Sequence, residues 1–247
     1  MLTLALDTTT RAGSVAVMRD ATLLAVVDGD PARTHGERLP DELHLAVQRA
    51  GVGPRDLELL AVASGPGAFT GLRIGLAAVQ GLAMVLDLPV VAVSALDALA
   101  LAAVSRDDAG LGDDDGLGAG AAPDGTTIGA WMDAARGEVF AGYYDFVRPS
   151  ILPTSTGAAI VGRPESALAA LPSRPVVFVG DGAVRYAAQI LQHLSGGGRI
   201  IPPPAALAPF IATLGQQRAA RGEAAPPHAL QPLYVRRSDA ELARGER

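Results

Sequence analysis

The feature that most constrains the fold is a strand–turn–helix unit in the first half of the chain. Residues 57–63 are mostly apolar, residues 64–71 form a glycine-rich turn, and a second apolar stretch follows up to residue 86. A short apolar run bounded by a turn is typical of a strand buried on both faces of a parallel sheet. The unit therefore predicts an α/β fold with this strand inside the sheet.

Short periodic segments on either side extend this unit into a longer series of strands and helices. Residue alternation and turn residues predict strands at 2–7, 13–19, 22–28, 57–63 and 89–93, and helices at 36–50, 70–86 and 94–104. The predicted order is β-β-β-α-β-α-β-α, which is the ribonuclease H-like order.

The second half of the chain begins in the same way. In each half the first strand ends in an aspartate, Asp7 or Asp133, and a turn of small residues leads into an outgoing strand. Strands are predicted at 127–133, 138–146 and 175–179, and helices at 183–194 and 205–221. The repetition predicts an α/β protein of the actin-like (ASKHA) fold, with two ribonuclease H-like lobes that each hold a mixed sheet flanked by helices.

The expected domain boundaries follow from composition. An N-terminal lobe spans residues 1–104, a C-terminal lobe spans residues 127–235, and residues 236–247 form a polar tail. Residues 105–126 are rich in aspartate and glycine, which predicts a flexible acidic insertion between the lobes. Helix 205–221 is a candidate to pack back on the first lobe.

The missing residue types exclude several kinds of chemistry. The chain has no cysteine and no lysine, which rules out a thiol nucleophile, a Schiff base and a Walker-type lysine. None of its four histidines lies four residues from another, so a helical pair of histidine metal ligands is excluded. The net charge of −6 and the scattered arginines argue against a free-standing nucleic-acid binder.

The apolar segments are too short for membrane insertion. The first seven residues lack the apolar length of a signal peptide, and the longest apolar stretch, residues 74–86, is interrupted by Gln80. We therefore expect a cytoplasmic protein that makes no contact with a membrane.

Polar and glycine residues at the ends of strands form a candidate nucleotide site. Actin-like ATPases place their first phosphate-binding turn where this chain has an aspartate followed by hydroxyl residues. The alternative is that each aspartate only caps its own turn. The glycine loop matches neither the dinucleotide nor the Walker pattern, although its backbone N–H groups could still bind phosphate. The residues of this candidate remnant site are Asp7, Thr8, Thr9, Gly65, Gly67, Asp133, Gly180 and Asp181.

Helix 70–86 predicts a protein interface. Small residues recur at Gly71, Gly75 and Ala78, a spacing that admits a neighbouring helix, and apolar residues surround the rest of the helix. A helix that is apolar all round must be covered on both sides. Packing within its own domain is one explanation, and a helix from a partner is the one we favour. Helix 36–50 would form part of the same surface.

Several longer motifs together resemble one family, TsaB (YeaZ), which acts with the bacterial machinery that synthesises threonylcarbamoyladenosine in tRNA. The glycine-loop motif is long and specific. The matching segments lie at residues 4–10, 14–17, 35–39, 65–75, 80–83, 89–94, 132–139, 180–182 and 232–236.

The resemblance implies a non-catalytic subunit without a metal site or cofactor of its own. It implies binding to a TsaD-type catalytic paralogue and a TsaE-type ATPase, which would supply ATP and Mg²⁺ chemistry, with tRNA reached only through the complex. Alone, such a chain is expected to form a homodimer through the same helices. The expected contact residues are Glu37, Leu39, Leu43, Val47, Gly71, Leu72, Ile74, Gly75, Ala78 and Val79.

Other functions remain open at this point. The first alternative is an active actin-like kinase or ATPase for a small molecule, which would use Asp7, Asp133 and residues 180–182. A peptidase ranks last, because neither a Ser–His–Asp arrangement nor a zinc motif is recognisable from spacing. A ribonuclease H-like nuclease is disfavoured because Ser64 stands where such an enzyme needs an acid.

Overall fold

The first half of the chain folds around a five-stranded sheet. The computed structural model describes residues 1–105, 122–150, 152–171, 176–195 and 198–236. The sheet has the order β3-β2-β1-β4-β5, in which β2 runs antiparallel to its neighbours β1 and β3, and all the other strands run parallel to β1. Its elements are β1 (Leu2–Asp7), β2 (Ser14–Arg19), β3 (Thr22–Asp28), α1 (His35–Arg49), β4 (Leu59–Gly65), α2 (Phe69–Leu86), β5 (Val90–Ser94) and α3 (Ala95–Val104).

The second half repeats this topology. Its sheet has the order β11-β10-β6-β7-β8, and β9 also pairs with β7. The elements are β6 (Thr127–Asp133), β7 (Val139–Asp145), β8 (Thr154–Ser155), β9 (Ile160–Gly162), α4 (Pro164–Ala169), β10 (Val176–Val179), α5 (Asp181–Arg185), α6 (Ala187–His193), β11 (Arg199–Ile201) and α7 (Ala208–Ala220). The β-β-β-α-β-α-β-α order predicted for the first half and the two mixed sheets flanked by helices are therefore confirmed.

The structure differs from the sequence-based expectation mainly in the second half. One helix was expected at 183–194, but two short helices, α5 and α6, meet at Tyr186. The short elements β8, β9, α4 and β11 were missed. Each has six residues or fewer, too few to show a periodic pattern. Residues 106–121 of the expected acidic insertion, and the expected tail after Arg236, lie outside the described residues.

Helix α7 joins the two halves. It packs on β1, β2 and β4 of the first sheet, and a Cβ on Gly215 would lie 2.6 Å from the Cβ of Ala61. Its start is held by the buried Ser14 hydroxyl, which accepts hydrogen bonds from the N–H groups of Leu207 (3.1 Å) and Ala208 (3.0 Å). Helix α3 contacts both sheets and α7, so an alanine-rich core connects the lobes. The lobe boundaries themselves stay predictions.

The opposite face of the first sheet is covered by α1 and α2. Among the described residues, α2 alone has the length and composition of a membrane-spanning helix, with 18 residues and a mean hydropathy of 1.6. A core helix has the same properties, and the inward face of α2 packs against β4. The outward face is exposed, with Met84 at 75% and Val85 at 84%.

Candidate functional site

Both carboxylate oxygens of Asp7 accept hydrogen bonds from the turn that follows β1. Its Oδ1 accepts hydrogen bonds from the Thr9 N–H (2.8 Å) and the Thr9 hydroxyl (2.6 Å), and its Oδ2 accepts one from the Thr10 hydroxyl (3.0 Å). The residue is only 2% exposed, and this burial raises the pKa of its carboxyl although the threonine hydrogen bonds oppose the rise. The carboxylate therefore caps its own turn, as the simpler of the two readings predicts.

The glycines at the start of α2 allow that helix to lie directly on the same turn. A Cβ on Gly67 would lie 2.5 Å from Thr9 Cβ, and one on Gly71 or Gly75 would fall still closer to Thr8. The N–H of Ala68 donates to the Thr9 carbonyl at 3.1 Å. This direct packing leaves no room for a phosphate between the loop and the turn, so close approach of two backbones explains the glycine motif.

The matching corner of the second lobe, where β6 ends and α5 begins, is also held by hydrogen bonds within the protein. Asp181 Oδ1 accepts from the N–H groups of Asp133 (3.1 Å) and Gly182 (2.8 Å), and burial raises the pKa of Asp181. Asp133 pairs with Arg185 at 2.8 Å. Gly180 has φ of 114°, and a Cβ there would collide with the carbonyl oxygen of Trp131.

The two corners face each other across an interlobe cleft of about 790 Å³. Of the residues predicted for a nucleotide site, Thr9, Gly67, Asp133 and Asp181 line this cavity. The other four predicted residues do not line the cleft: Asp7, Thr8, Gly65 and Gly180. Over the ranges that the structure describes, no three metal-ligating side chains cluster. Whether any cofactor binds stays a prediction.

The end of the described chain crosses this cleft, which the sequence-based site prediction missed. The Leu233 N–H donates to the Ser64 carbonyl at 2.7 Å, and Tyr234 stacks on Phe69 of α2 with ring centroids 5.3 Å apart. Arg236 then reaches the second lobe, where it donates to the Ala134 carbonyl at 2.9 Å and pairs with Glu138. The motif at residues 232–236 was the sequence signal that could have identified this segment. Its role depends on contacts with residues that lie far away in the sequence.

A second cavity, an apolar groove of about 670 Å³, lies between α1 and α2 on the outside of the first lobe. Leu39, Leu43 and Val47 of α1 and Ile74 and Ala78 of α2 line it, as the interface prediction requires of a shared surface. Glu37 does not line it. The exposed Glu37 carboxylate instead accepts from the Thr34 N–H (2.9 Å) and hydroxyl (2.8 Å), which caps the start of α1.

Four other predicted interface residues face the interior, which corrects the sequence-based expectation. Gly71, Leu72, Gly75 and Val79 are buried on the inward side of α2. Gly71 and Gly75 therefore accommodate Thr8 rather than a helix from a partner, and only Ala78 of the three small residues lines the groove. On the outward side, a Cβ on Gly81 would meet no atom within 4 Å.

A buried polar cluster fixes the start of α1 against the turn after β1. Arg38 is 2% exposed, pairs with Glu42 and donates to the carbonyls of Arg11 and Ala12. His35 Nε2 lies 3.0 Å from the Thr10 carbonyl, and its Nδ1 lies 2.8 Å from Arg38 Nη2. These partners require the neutral ring with its proton on Nε2. The cluster explains why a histidine and an arginine stand three residues apart.

Comparison with known proteins identifies a matching family model and several relatives of this chain. A family model described as TsaD, tRNA N6-adenosine threonylcarbamoyltransferase, matches residues 26–113. The tRNA threonylcarbamoyladenosine biosynthesis protein TsaB of Bacillus subtilis is 29% identical over 98% of this chain and 96% of its own.

Two solved structures are also similar to this chain. YeaZ from Pseudomonas aeruginosa is 30% identical, with a TM-score of 0.72 over 94% of this chain and 100% of its own. Component A of the Acidaminococcus fermentans (R)-2-hydroxyglutaryl-CoA dehydratase is 11% identical, with a TM-score of 0.51 over 89% of this chain and 99% of its own. The second likeness concerns the fold alone.

Proposed function

The chain belongs to the TsaB (YeaZ) family, and we propose that it is a non-catalytic scaffold that binds and activates a TsaD-type catalytic subunit. Members of this family are named for tRNA threonylcarbamoyladenosine biosynthesis. The observation that carries the proposal is the apolar groove between α1 and α2, next to the exposed Met84 and Val85. An apolar surface of this kind marks an interaction site.

The proposed occupant is the equivalent pair of helices of the catalytic paralogue. The TsaD family model matches residues 26–113, a stretch that contains both α1 and α2. A TsaD-type protein therefore has counterparts of these helices, and two such pairs can pack around a pseudo-two-fold axis into a helical bundle. The same argument supports a homodimer when the chain is alone.

The bonding of the acidic residues supports a non-catalytic role. Asp7 accepts hydrogen bonds from its own turn, Asp181 accepts from the N–H groups of Gly182 and Asp133, and Asp133 is paired with Arg185. In this proposal the TsaE-type ATPase and the catalytic subunit supply ATP and Mg²⁺, and tRNA is reached through the complex in the cytoplasm.

The experiment that tests the proposal is binding of the purified chain to its TsaD-type paralogue. Ala78→Glu places a carboxylate in the groove, where burial without a partner is costly, so we expect binding to weaken roughly tenfold or more. Ala169→Glu, on the exposed side of α4 in the second lobe, is the matched control and should bind normally. Isothermal titration calorimetry gives both affinities.

Two results would overturn the proposal. One is equal affinity of the Ala78→Glu and Ala169→Glu chains for the paralogue. The other is sustained turnover of Mg-ATP by the isolated chain, which would instead support an actin-like kinase or ATPase. Threonylcarbamoyl transfer to tRNA by the reconstituted complex, measured with and without this chain, tests the activating role.

A further inference from the structure

An exposed aromatic and cationic ledge stands at the mouth of the interlobe cleft, on the side of α2. Phe69 and Tyr234 form a stacked pair, and the two residues are 41% and 44% exposed. The guanidinium carbon of Arg73 lies 4.0 Å from the centre of the Phe69 ring, and Arg73 Nε donates to the Tyr234 hydroxyl at 3.0 Å. The three side chains hold one another in place, so the ledge is built before any ligand arrives.

The charge of the cleft is opposite to that of the whole chain. The chain carries a net charge of −6, yet four arginines and two aspartates line the cleft. Arg11 and Arg73 have no ion-pair partner among the residues that the structure describes. One lining charge of each sign is offset by an ion pair, because Asp133 pairs with Arg185 and Arg236 pairs with Glu138.

The combination of exposed aromatic rings and arginines without ion-pair partners fits one kind of ligand, an unpaired stretch of nucleic acid. Aromatic rings stack on nucleic-acid bases whatever the sequence, and arginine binds phosphate through several N–H donors. A ledge of exposed rings flanked by unpaired guanidinium groups is the arrangement used for unpaired nucleotides. An apolar peptide would need no such cations.

The position of the ledge points to RNA rather than to a free nucleotide. Arg73 is adjacent to Ile74, which lines the α1–α2 groove, so the two surfaces share one helix. A catalytic partner seated in the groove would bring its tRNA substrate alongside the ledge. The phosphate space expected of an actin-like nucleotide site is meanwhile filled by the contact of the glycine loop with Thr8 and Thr9.

We infer that Phe69, Tyr234, Arg73 and Arg11 form a contact site for an unpaired stretch of the tRNA substrate, with a base on the exposed rings and phosphates on the arginines. The inference rests on the proposed function. It assigns this chain a direct role in holding the substrate, which the scaffold proposal does not require. The net negative charge of the whole chain opposes RNA binding, so we expect the isolated chain to bind RNA more weakly than the complex does.

The test is RNA binding by the reconstituted complex of the full chain with its TsaD-type paralogue. The probe is a fluorescently labelled anticodon stem-loop RNA, and its anisotropy gives the affinity over a series of salt concentrations. Arg73→Ala should weaken binding and reduce the slope of log K against log salt by about 0.7 for the lost phosphate contact. Arg163→Ala, an exposed arginine outside the cleft, is the control and should change neither quantity.

Two substitutions of Tyr234 test whether its ring stacks on a base of the RNA. Tyr234→Ala should weaken RNA binding roughly fivefold or more, while Tyr234→Phe, which keeps the ring, should retain most of the affinity. Complex formation is measured for every variant, and thermal melting verifies folding. If Tyr234→Ala is unfolded, the Arg11→Ala and Arg73→Ala salt slopes decide the question.

The outcomes separate this inference from the proposed function. If all variants form the complex and bind RNA like the parent chain, the ledge is not an RNA site and the scaffold proposal survives. Binding of AMP to the ledge without any effect of the variants on RNA would also overturn it. If the parent chain forms no complex, the scaffold proposal fails, and the ledge is then measured with the isolated chain at higher protein concentration.

Discussion

The two lobes share one topology, yet their outer helices differ greatly in length. In the first lobe, α1 and α2 have 15 and 18 residues, and an apolar groove of about 670 Å³ lies between them. In the second lobe, the corresponding α4, α5 and α6 have six, five and seven residues. Long helices present several turns to a partner, whereas helices this short cover only their own sheet. The difference assigns the proposed partner surface to the first lobe.

The lobes agree, by contrast, in how the helix after the central strand is placed. In the first lobe α2 lies on the turn after β1, and in the second lobe a Cβ on Gly182 of α5 would lie 2.7 Å from the backbone of Met132. Glycine at these helix starts serves the fold in both halves. The glycine contacts involve Gly71 and Gly75, whereas the groove is lined by Ile74, Ala78, Leu82 and Leu86 of the same helix, so the two sets should respond differently to mutation.

The largest effect is expected when a side chain is forced into the inward face of α2. Gly75→Leu would collide with the buried Thr8, so we expect a loss of about 3 kcal/mol or more in the free energy of unfolding. Gly81→Leu, on the open outward face, should be neutral or stabilising, because leucine favours helix over glycine. Urea unfolding followed by circular dichroism measures both variants.

Fluorescence of the single tryptophan, Trp131 in the second lobe, adds a local probe to the same experiment. If Gly75→Leu unfolds the first lobe first, the circular dichroism signal should change before the fluorescence. Equal stability of the two leucine variants would contradict the claim that Gly75 is needed for packing on Thr8.

A smaller effect is expected from the aspartates that end the first strand of each lobe. Asp7→Ala leaves the buried Thr9 N–H without its acceptor, which should cost about 1–3 kcal/mol of stability. Asp133→Ala removes an ion pair with a largely exposed arginine and an exposed hydrogen bond from the Ala135 N–H, which should cost about 1 kcal/mol. Thermal unfolding compares them.

Asp7→Asn sharpens this comparison, because asparagine can still accept from the Thr9 N–H. We expect near-normal stability and full threonylcarbamoyl transfer by the reconstituted complex. Loss of transfer with an intact complex would show that the carboxylate has a chemical role.

The smallest effect is a pH dependence confined to the first lobe. Burial and the neighbouring Arg38 lower the pKa of His35 below 6.5, with Thr10, Asp7 and Glu42 opposing the shift. The unfolded chain therefore takes up a proton first as the pH falls below about 6.5, so stability should decline there and level off below the folded-state pKa. Because the ring is half-buried, we expect a decline of less than about 1 kcal/mol.

Chemical unfolding between pH 5 and 8, about the range over which histidine titrates, measures this decline. His35→Gln should remove the part that belongs to this residue and leave the contribution of the carboxylates. A parent and variant with parallel pH profiles would mean that His35 is not held neutral by the turn.

The fold was largely predictable from sequence because its central strands are continuous apolar runs with clear turns. The observed bounds of β1, β3 and β6 match the predicted ones, and α1 and α2 begin within one residue of their predicted starts. The short elements of the second lobe were not predictable, since β8 and β9 have two and three residues and exist only through pairing with β7.

The candidate site was predictable in part. Sequence patterns identified the helices that line the groove and the aspartates at the cleft. They did not show which way α2 faces, because a helix that is apolar all round has no distinct inward side. They also missed Tyr234 and Arg73, which meet across 161 residues of chain.

Sequence alone determined the α/β class, the doubled topology, the absence of thiol and lysine chemistry, and the resemblance to the TsaB family, because these depend on residue types and local patterns. Tertiary structure decided that Gly71 and Gly75 of α2 pack on Thr8, that an apolar groove lies between α1 and α2, and that Tyr234 joins Phe69 and Arg73 at the cleft. The physical reason is that burial and long-range contacts depend on how elements pack together, which local sequence patterns do not specify.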